Sequence, residues 1–137
     1  MRQFEPGTVN HARDVVIDEE HGKAYASATF EPEVVVFDTA ALTVAKRIKI
    51  DSTVRGETFS AASVSYDREA RRLYVASNST NEVAVIDAAA DTVLNVFRVP
   101  GARSVIGVSH DPQTDRIFVA AQGLSLIHIS EPTRPER

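Results

Sequence analysis

Five aspartates stand at equivalent places in a pattern that repeats along this chain, and their carboxylates are the first candidates for chemistry. Asp18 and Asp38 are matched 49 positions later by Asp67 and Asp87, and Asp111 follows Asp67 after 44 positions. One carboxylate from each repeat could form a ring that binds cations. Each aspartate also follows a predicted strand, where its side chain can accept hydrogen bonds from the backbone N–H groups of a turn. Their recurrence at the same place in each repeat favours turn capping, because a binding site usually interrupts the symmetry of a repeat.

Histidines are the second candidates, since an imidazole ring can ligate a metal or transfer a proton near neutral pH. His11 precedes the first strand of the first repeat, and His110 ends the first strand of the third. A metal site or acid–base pair made of these two would need the fold to bring them together. His21 lies in a predicted turn, and His128 lies in a C-terminal segment that departs from the repeat. We therefore predict no metal site, no cofactor and no catalytic residue.

A third set of side chains is suited to binding, because arginine and aromatic residues are favoured at binding surfaces. They lie in a segment inserted between two repeats, or beside the first strand of a repeat. The predicted binding face consists of Arg13, Arg55, Glu57, Phe59, Arg103 and His110. The alternative interpretation is an ordinary solvated loop.

The repeat itself must position these candidates. Residues 12–50 align without a gap on residues 61–99, with thirteen identities among thirty-nine positions, and a third copy begins at Gly101 and stops halfway. Short runs rich in β-branched and aromatic residues, separated by turn-forming residues, predict four strands in each complete copy. The predicted strands are about 14–18, 23–28, 33–38 and 44–50 in the first copy, and about 62–67, 72–77, 82–87 and 92–99 in the second.

A period of about 40–50 residues with several short strands per unit is typical of propeller blades. The sequence therefore predicts an all-β fold: a β-propeller fragment with two full four-stranded blades plus half of a third. Because a closed ring needs about 4–8 blades, we expect the chain to be part of a longer protein. The predicted divisions are 1–11 (end of a preceding blade or linker), 12–50 (blade), 51–60 (interblade loop insertion), 61–99 (blade), 101–123 (half blade) and 124–137 (non-native tail).

The composition limits the classes of partner that this chain could bind. The net charge is −4 with acidic and basic residues interleaved, so no basic face for nucleic acid is evident. No apolar stretch approaches the roughly 18 residues of a membrane-spanning helix, and the first residues lack the apolar core of a signal peptide. The chain has no cysteine, which excludes disulfides and thiolate metal sites. We expect a protein or small-molecule ligand, with no nucleic acid and no membrane insertion.

The second repeat, RRLYVASNSTNEVAVIDAAADTVLNVFRV, resembles the YVTN-type (YncE-like) β-propeller repeat of bacterial surface and periplasmic proteins. Tyr74–Val75 match the start of that motif, and Val83, Val85, Ile86 and Asp87 match its V-x-V-I-D part. The resemblance implies a seven-bladed, WD40-like parent that is periplasmic, exposed at the cell surface or secreted. It also implies a non-catalytic binding or scaffold protein of the bacterial cell envelope, which recognises its partner on the loop-bearing face.

The alternative is a propeller enzyme such as a lactonase, a lyase or a quinoprotein or reductase domain. Such an enzyme would place His, Asp or Glu side chains from several blades around the propeller axis. Most of its active-site residues would then lie in blades outside this chain. The repeat motif does not decide between the two classes, because the family that it resembles is defined by its blades rather than by a catalytic site.

The last fourteen residues, LSLIHISEPTRPER, resemble translated sequencing-adapter DNA rather than a propeller repeat. Ile127 and Ile129 fall where Val83 and Val85 stand in the second repeat, so this segment could occupy a third-strand position. The following residues hold two prolines, which cannot serve the interior of a paired strand. We expect the segment to be non-native.

Overall fold

The computed structural model describes residues 4–9, 11–28, 31–122 and 126–129. In these ranges the chain forms eleven strands in three antiparallel sheets. The first sheet contains β1 (Ala12–Asp18), β2 (Lys23–Ala28), β3 (Glu33–Asp38) and β4 (Thr43–Lys49). The second contains β5 (Ala61–Asp67), β6 (Arg72–Ser77), β7 (Glu82–Asp87) and β8 (Thr92–Arg98), and the third contains β9 (Arg103–Asp111), β10 (Arg116–Gln122) and β11 (Leu126–Ile129).

Strand order within each sheet follows the chain, as in the blades of a propeller. The first strands are innermost and adjacent: β1 contacts β5, and β5 contacts β9. They run in the same direction, because Asp14 of β1 contacts Val64 of β5 while Asp18 further along contacts Tyr66. The fold class is therefore confirmed as a partial β-propeller.

The recurrent aspartates cap turns, as predicted. After β1, the backbone N–H of His21 donates to Asp18 Oδ1 at 3.3 Å, and after β5 the N–H of Ala70 donates to Asp67 Oδ1 at 3.3 Å. The same arrangement follows the third strands, where Asp38 accepts from Ala40 and Asp87 from Ala89, and it follows β9, where Asp111 accepts from Gln113. These bonds satisfy turn N–H groups that the sheets leave unpaired.

The core lies between the sheets. One apolar cluster joins the first and second sheets through Tyr25, Val34, Val36, Ile48, Ile50, Phe59, Leu73, Val75 and Ile86, and another joins the second and third through Tyr74, Val83, Val85, Val99, Ile117 and Val119. The second sheet is thus covered on both faces, which explains why the four central residues of its third strand, VAVI, are all apolar. No helix that the structure describes has the length and apolar character needed to cross a membrane.

The third sheet departs from the predicted half blade, because β11 adds a third strand to it. In the complete blades, Ala26 pairs with Val35 and Val75 pairs with Ala84. A continued repeat would pair Val119 with His128, but Val119 pairs with Ile127. Since the side-chain period of a strand is two, a slip of one residue exchanges its two faces. A short apolar run has therefore paired with an open edge without taking the register of the blades.

The division of the chain at residues 123 and 124 stays a prediction. Residues 124–125 and 130–137, which are ten of the fourteen residues of the predicted tail, lie outside the described residues, as does residue 123. At the other end, the ring of Phe4 packs on Phe37 with centroids 4.7 Å apart.

Candidate functional site

The sheets meet at two junctions, each held by a backbone-to-side-chain tether between innermost strands. At the first junction, between the first and second sheets, Val64 N donates to Asp14 Oδ2 at 3.0 Å. At the second, between the second and third sheets, Val108 N donates to Ser63 Oγ at 3.2 Å. Donors and acceptors occupy equivalent repeat positions, so the junctions share one backbone geometry.

The first junction ends at an ionised carboxylate that is surrounded by hydrogen-bond donors and a guanidinium. Asp18 is buried, and Tyr66 donates its hydroxyl to Asp18 Oδ2 at 3.0 Å. His21 Nδ1 lies 3.0 Å from the same oxygen, and the Arg71 guanidinium lies 3.9 Å away. Burial raises the pKa of Asp18, but the hydrogen bonds from His21 and Tyr66 outweigh burial and hold that pKa below its ordinary value. Burial and the Asp18 carboxylate raise the pKa of Tyr66.

The second junction has the same geometry and different chemistry. The positions of Asp18, Tyr66 and Arg71 are taken by Asp67, His110 and Asp115 respectively, a cluster that we call the junction triad. His110 Nε2 lies 3.4 Å from Asp67 Oδ2 and 2.9 Å from Asp115 Oδ1. The side chains of Asp67 and His110 are each 2% exposed, and that of Asp115 is 16% exposed. One ligand atom from each residue lies within 4.8 Å of the other two.

Three elements position the triad. Asp67 ends β5, His110 stands near the end of β9, and Asp115 closes the turn between β9 and β10. The imidazole stacks on the ring of Tyr74 with centroids 5.6 Å apart and planes 12° apart, and His110 N donates to Ser65 Oγ at 3.0 Å. The His110 backbone is thus held by a hydrogen bond, and one face of its imidazole ring is held by the stack on Tyr74.

The pairing of His11 with His110, considered from the sequence and not predicted, is not formed. His11 precedes the start of β1, whereas His110 stands near the end of β9, and the innermost strands run in the same direction. A strand of seven residues places its two ends about 20 Å apart. His110 instead meets Asp67, which was predicted only to cap a turn, and Asp115, which sequence reasoning missed. The available signal was a charge reversal, since Asp115 stands where the repeat has Arg71.

The predicted binding face is split by the fold. Arg13 and Arg103 are exposed at the start of β1 and β9, and the segment 51–60 leads into the start of β5, so these residues lie at one end of the innermost strands. His110 lies at the opposite end. Phe59 does not belong to a surface, because its side chain is fully buried in the core between the first and second sheets.

Segment 51–60 is a loop held at both ends. Glu82 is fully buried and accepts hydrogen bonds from Ser52 Oγ at 2.6 Å, from Thr53 N at 2.9 Å and from Thr53 Oγ1. Burial raises the pKa of Glu82, but these hydrogen bonds outweigh burial and hold that pKa below its ordinary value. At the other end, Ser60 N donates to Ser77 Oγ at 3.1 Å. The loop is therefore anchored by a buried carboxylate and by the core.

The tip of this loop faces solvent. Glu57 N donates to Val54 O at 3.1 Å, and Gly56 has a φ of 79°, a left-handed conformation that favours glycine. Arg55 and Glu57 are exposed on either side of this glycine. The turn thus presents one cationic and one anionic side chain on a fixed backbone.

No protein-family model matches this chain, and no curated protein sequence matches it. Solved structures do match. Hydrazine synthase of Kuenenia stuttgartiensis superposes with a TM-score of 0.75 at 14% identity, covering 93% of this chain and 36% of that chain. Sqt1 of Saccharomyces cerevisiae gives a TM-score of 0.71 at 14% identity, covering 90% and 34% respectively.

The β-propeller domain of Cps50 (Swd1) from Myceliophteria thermophila gives a TM-score of 0.60 at 16% identity, covering 92% of this chain and 41% of that chain. At such identities the likeness shows the fold alone, and it agrees with the sheet topology. The chain spans between 34% and 41% of the length of the three structures that it matches.

Proposed function

We propose that this chain is part of a non-catalytic β-propeller scaffold that recognises a partner at the end of the ring carrying loop 51–60. The observation that carries the proposal is the anchored loop, whose backbone is fixed by buried Glu82 and whose tip exposes Arg55 and Glu57. Arg13 and Arg103 are exposed at the same end of the innermost strands. The repeat motif supports the more specific proposal of a YVTN-type protein of the bacterial cell envelope.

Binding at this face would combine electrostatic attraction with a small loss of conformational entropy. An arginine guanidinium presents five donors in a planar fork that matches a carboxylate in a bidentate manner. Because the loop backbone is already fixed, its binding would not have to offset the conformational entropy of ordering a flexible segment. The three arginines of this end, Arg13, Arg55 and Arg103, therefore favour an acidic partner surface.

Affinity capture from a bacterial envelope extract tests the proposal. We compare the immobilised 137-residue chain with a double variant, Arg55→Ala with Arg103→Ala, and with Arg68→Ala. Arg68 is the matched control, since it is an exposed arginine that follows the opposite end of β5. We expect a ligand that the double variant loses and that Arg68→Ala retains. Capture of nothing by the wild-type chain, or equal capture by all three proteins, would contradict the proposal.

A further inference from the structure

We propose that the junction triad, Asp67, His110 and Asp115, binds one divalent transition-metal ion, with Zn²⁺ and Mn²⁺ as the best-suited ions. The ion would lie between the second and third sheets, at the end of the innermost strands opposite loop 51–60. This site is separate from the proposed recognition face and departs from the sequence-based prediction of no metal.

The donor set suits such an ion. Imidazole nitrogen and carboxylate oxygen are ordinary ligands of Zn²⁺, and carboxylate oxygen also suits Mn²⁺. Three protein ligands with a fourth position open to water are typical of non-structural zinc sites. Asp115 is the most exposed member of the triad at 16%, so water can reach the ion from its side.

Two of the three distances between ligand atoms are close to those around a shared ion, and all three ligand atoms lie within 4.8 Å of one another. Two ligand atoms that each lie about 2.0–2.2 Å from a tetrahedral metal ion are about 3.3–3.6 Å apart. His110 Nε2 and Asp67 Oδ2 are 3.4 Å apart, which already meets this requirement. His110 Nε2 and Asp115 Oδ1 are 2.9 Å apart, so Asp115 has to withdraw by about half an ångström. Asp115 stands on a turn, where a movement of this size disturbs no sheet pairing.

The charges at the two junctions differ, and this difference would favour a cation at the second junction. At the first junction the Asp18 carboxylate faces the Arg71 guanidinium at 3.9 Å. At the second junction the position of that guanidinium holds a second carboxylate, Asp115, near Asp67. With two carboxylates on one imidazole, this junction carries more negative charge than the first, and a nearby cation stabilises buried carboxylates. The two positive charges of a divalent ion would balance the negative charges of the two carboxylates.

The surrounding groups hold the ligand atoms in suitable orientations. Asp67 Oδ1 accepts from Ala70 N at 3.3 Å, which leaves Oδ2 directed at His110. The imidazole is held by its stack on Tyr74. Hydrogen bonds and packing contacts made to metal ligands orient those ligands and maintain their affinity for the metal ion. Because the ligands come from both sheets, a bound ion would also clamp the second sheet to the third.

Competition with a chromophoric zinc chelator measures binding directly. The full 137-residue chain, stripped of metal and at low micromolar concentration, is titrated with Zn²⁺ and then with Mn²⁺, and its thermal unfolding is followed with and without each ion. We expect one ion per chain and a midpoint temperature that rises with metal concentration. Asp115→Asn should weaken binding by about tenfold or more.

A double variant keeps the test independent of folding. His110→Tyr with Asp115→Arg installs the residue types of the first junction, which already pack in this fold. Residue 115 has a φ of 56°, close to the 54° of Arg71, so the backbone accepts arginine there. We expect this variant to stay folded by circular dichroism and to bind no metal. Asp51→Asn, at an exposed carboxylate of loop 51–60 far from the triad, should bind metal as the wild type does.

Two results would overturn the proposal. The first is a folded wild-type chain that does not compete with the chelator for Zn²⁺ or Mn²⁺. The second is binding that persists unchanged in the double variant, which would place the ion elsewhere. In either case the triad would be a hydrogen-bonded junction without a metal.

Discussion

At the scale of single residues, the turn after each innermost strand shows how one backbone supports different chemistry. Equivalent positions hold Gly22, Arg71 and Asp115, and all three have left-handed φ angles, at 65°, 54° and 56°. The fold therefore fixes the conformation of this position while its side chain varies between repeats. A side chain that varies at a fixed position can give each junction its own electrostatics.

Tyr66→Phe tests the hydrogen bond at the first junction. The substitution removes the hydroxyl that donates to buried Asp18 and leaves the ring in place. We expect a loss of about 1.5–3 kcal/mol in the free energy of unfolding, because the bond is to a charged group. Urea denaturation of the chain at low concentration measures the change. Thr43→Val, at an exposed position, is the control, and a loss for Tyr66→Phe no greater than that of the control would contradict the prediction.

Glu82 predicts a specific dependence of stability on pH. Its pKa in the folded chain lies below the unfolded value of about 4.5. The ionised carboxylate therefore stabilises the fold fully above the unfolded pKa, and this contribution is lost as the pH falls through the folded pKa. Glu82→Gln should lower the free energy of unfolding at pH 7 by about 1–3 kcal/mol. The difference from wild type should shrink as the pH falls below the unfolded pKa.

Glu33→Gln is the matched control for this measurement, because Glu33 occupies the equivalent position in the first repeat. Its carboxylate pairs with Arg47 at 2.8 Å near the surface, where such pairs contribute less than about 1 kcal/mol. An effect of Glu82→Gln that did not change with pH would show that the loss comes from altered packing rather than from the ionised carboxylate.

The candidate site was only partly predictable at this scale. His110 stood out because the equivalent residues are Ile17 and Tyr66, but its partners depend on which strand ends meet across a junction. Phe59 was assigned to the binding face because it is an aromatic residue in the inserted segment, and the structure shows that its ring fills the core. A residue in a loop does not reveal from sequence alone whether it faces solvent or anchors the loop.

At the scale of elements, loop 51–60 is expected to depend on its anchors rather than on its tip. Phe59→Ala should lower the free energy of unfolding by about 3–5 kcal/mol, because it empties a fully buried position. Glu57→Ala, at the exposed tip, should change it by less than about 0.5 kcal/mol. Both changes are measured by urea denaturation. Similar effects of the two substitutions would show that Phe59 is not part of the core.

The strands of the complete repeats could be predicted closely, and β11 could not be placed correctly. Alternation and β-branched residues mark each blade strand, and the repeat confirms each prediction with a second copy. The register of β11 follows no repeat, because Val119 pairs with Ile127 rather than with His128. A lone edge has unpaired N–H and C=O groups that accept any short apolar run, so sequence periodicity carries little information there.

At the scale of the whole molecule, the outer face of the first sheet is covered only in part: Ala26, Val35 and Phe37 are buried there beside Val9, but its innermost strand is exposed. Val15 and Ile17 of β1 are 57% and 58% exposed, whereas the equivalent Val64 of the second sheet is buried beneath the first. An apolar sheet face of this kind favours association. We expect the chain on its own to self-associate as its concentration rises.

Light scattering across a concentration series tests this expectation. Replacing Val15 and Ile17 together by threonine keeps the β-branched shape and removes apolar surface, so the double variant should stay monomeric to a higher concentration. Leu94→Thr, at an exposed apolar position of β8, should behave as the wild type does. A wild-type chain that is monomeric with a sharp cooperative thermal transition would contradict the prediction.

The two junctions differ in their side chains, and this difference affects which sheets of similar sequence dock together during folding. Neighbouring repeats of similar sequence are prone to misassembly during folding. Here the outgoing edge of the first sheet offers Asp18 with His21, which suits Tyr66 and Arg71 on the second sheet. Docked out of order against the third sheet, Asp18 would lose the Tyr66 hydroxyl and the Arg71 guanidinium and would meet His110 and Asp115 instead. The side chains at the first seam thus favour the correct partner sheet, so the ordered assembly of these similar sheets does not depend on backbone shape alone.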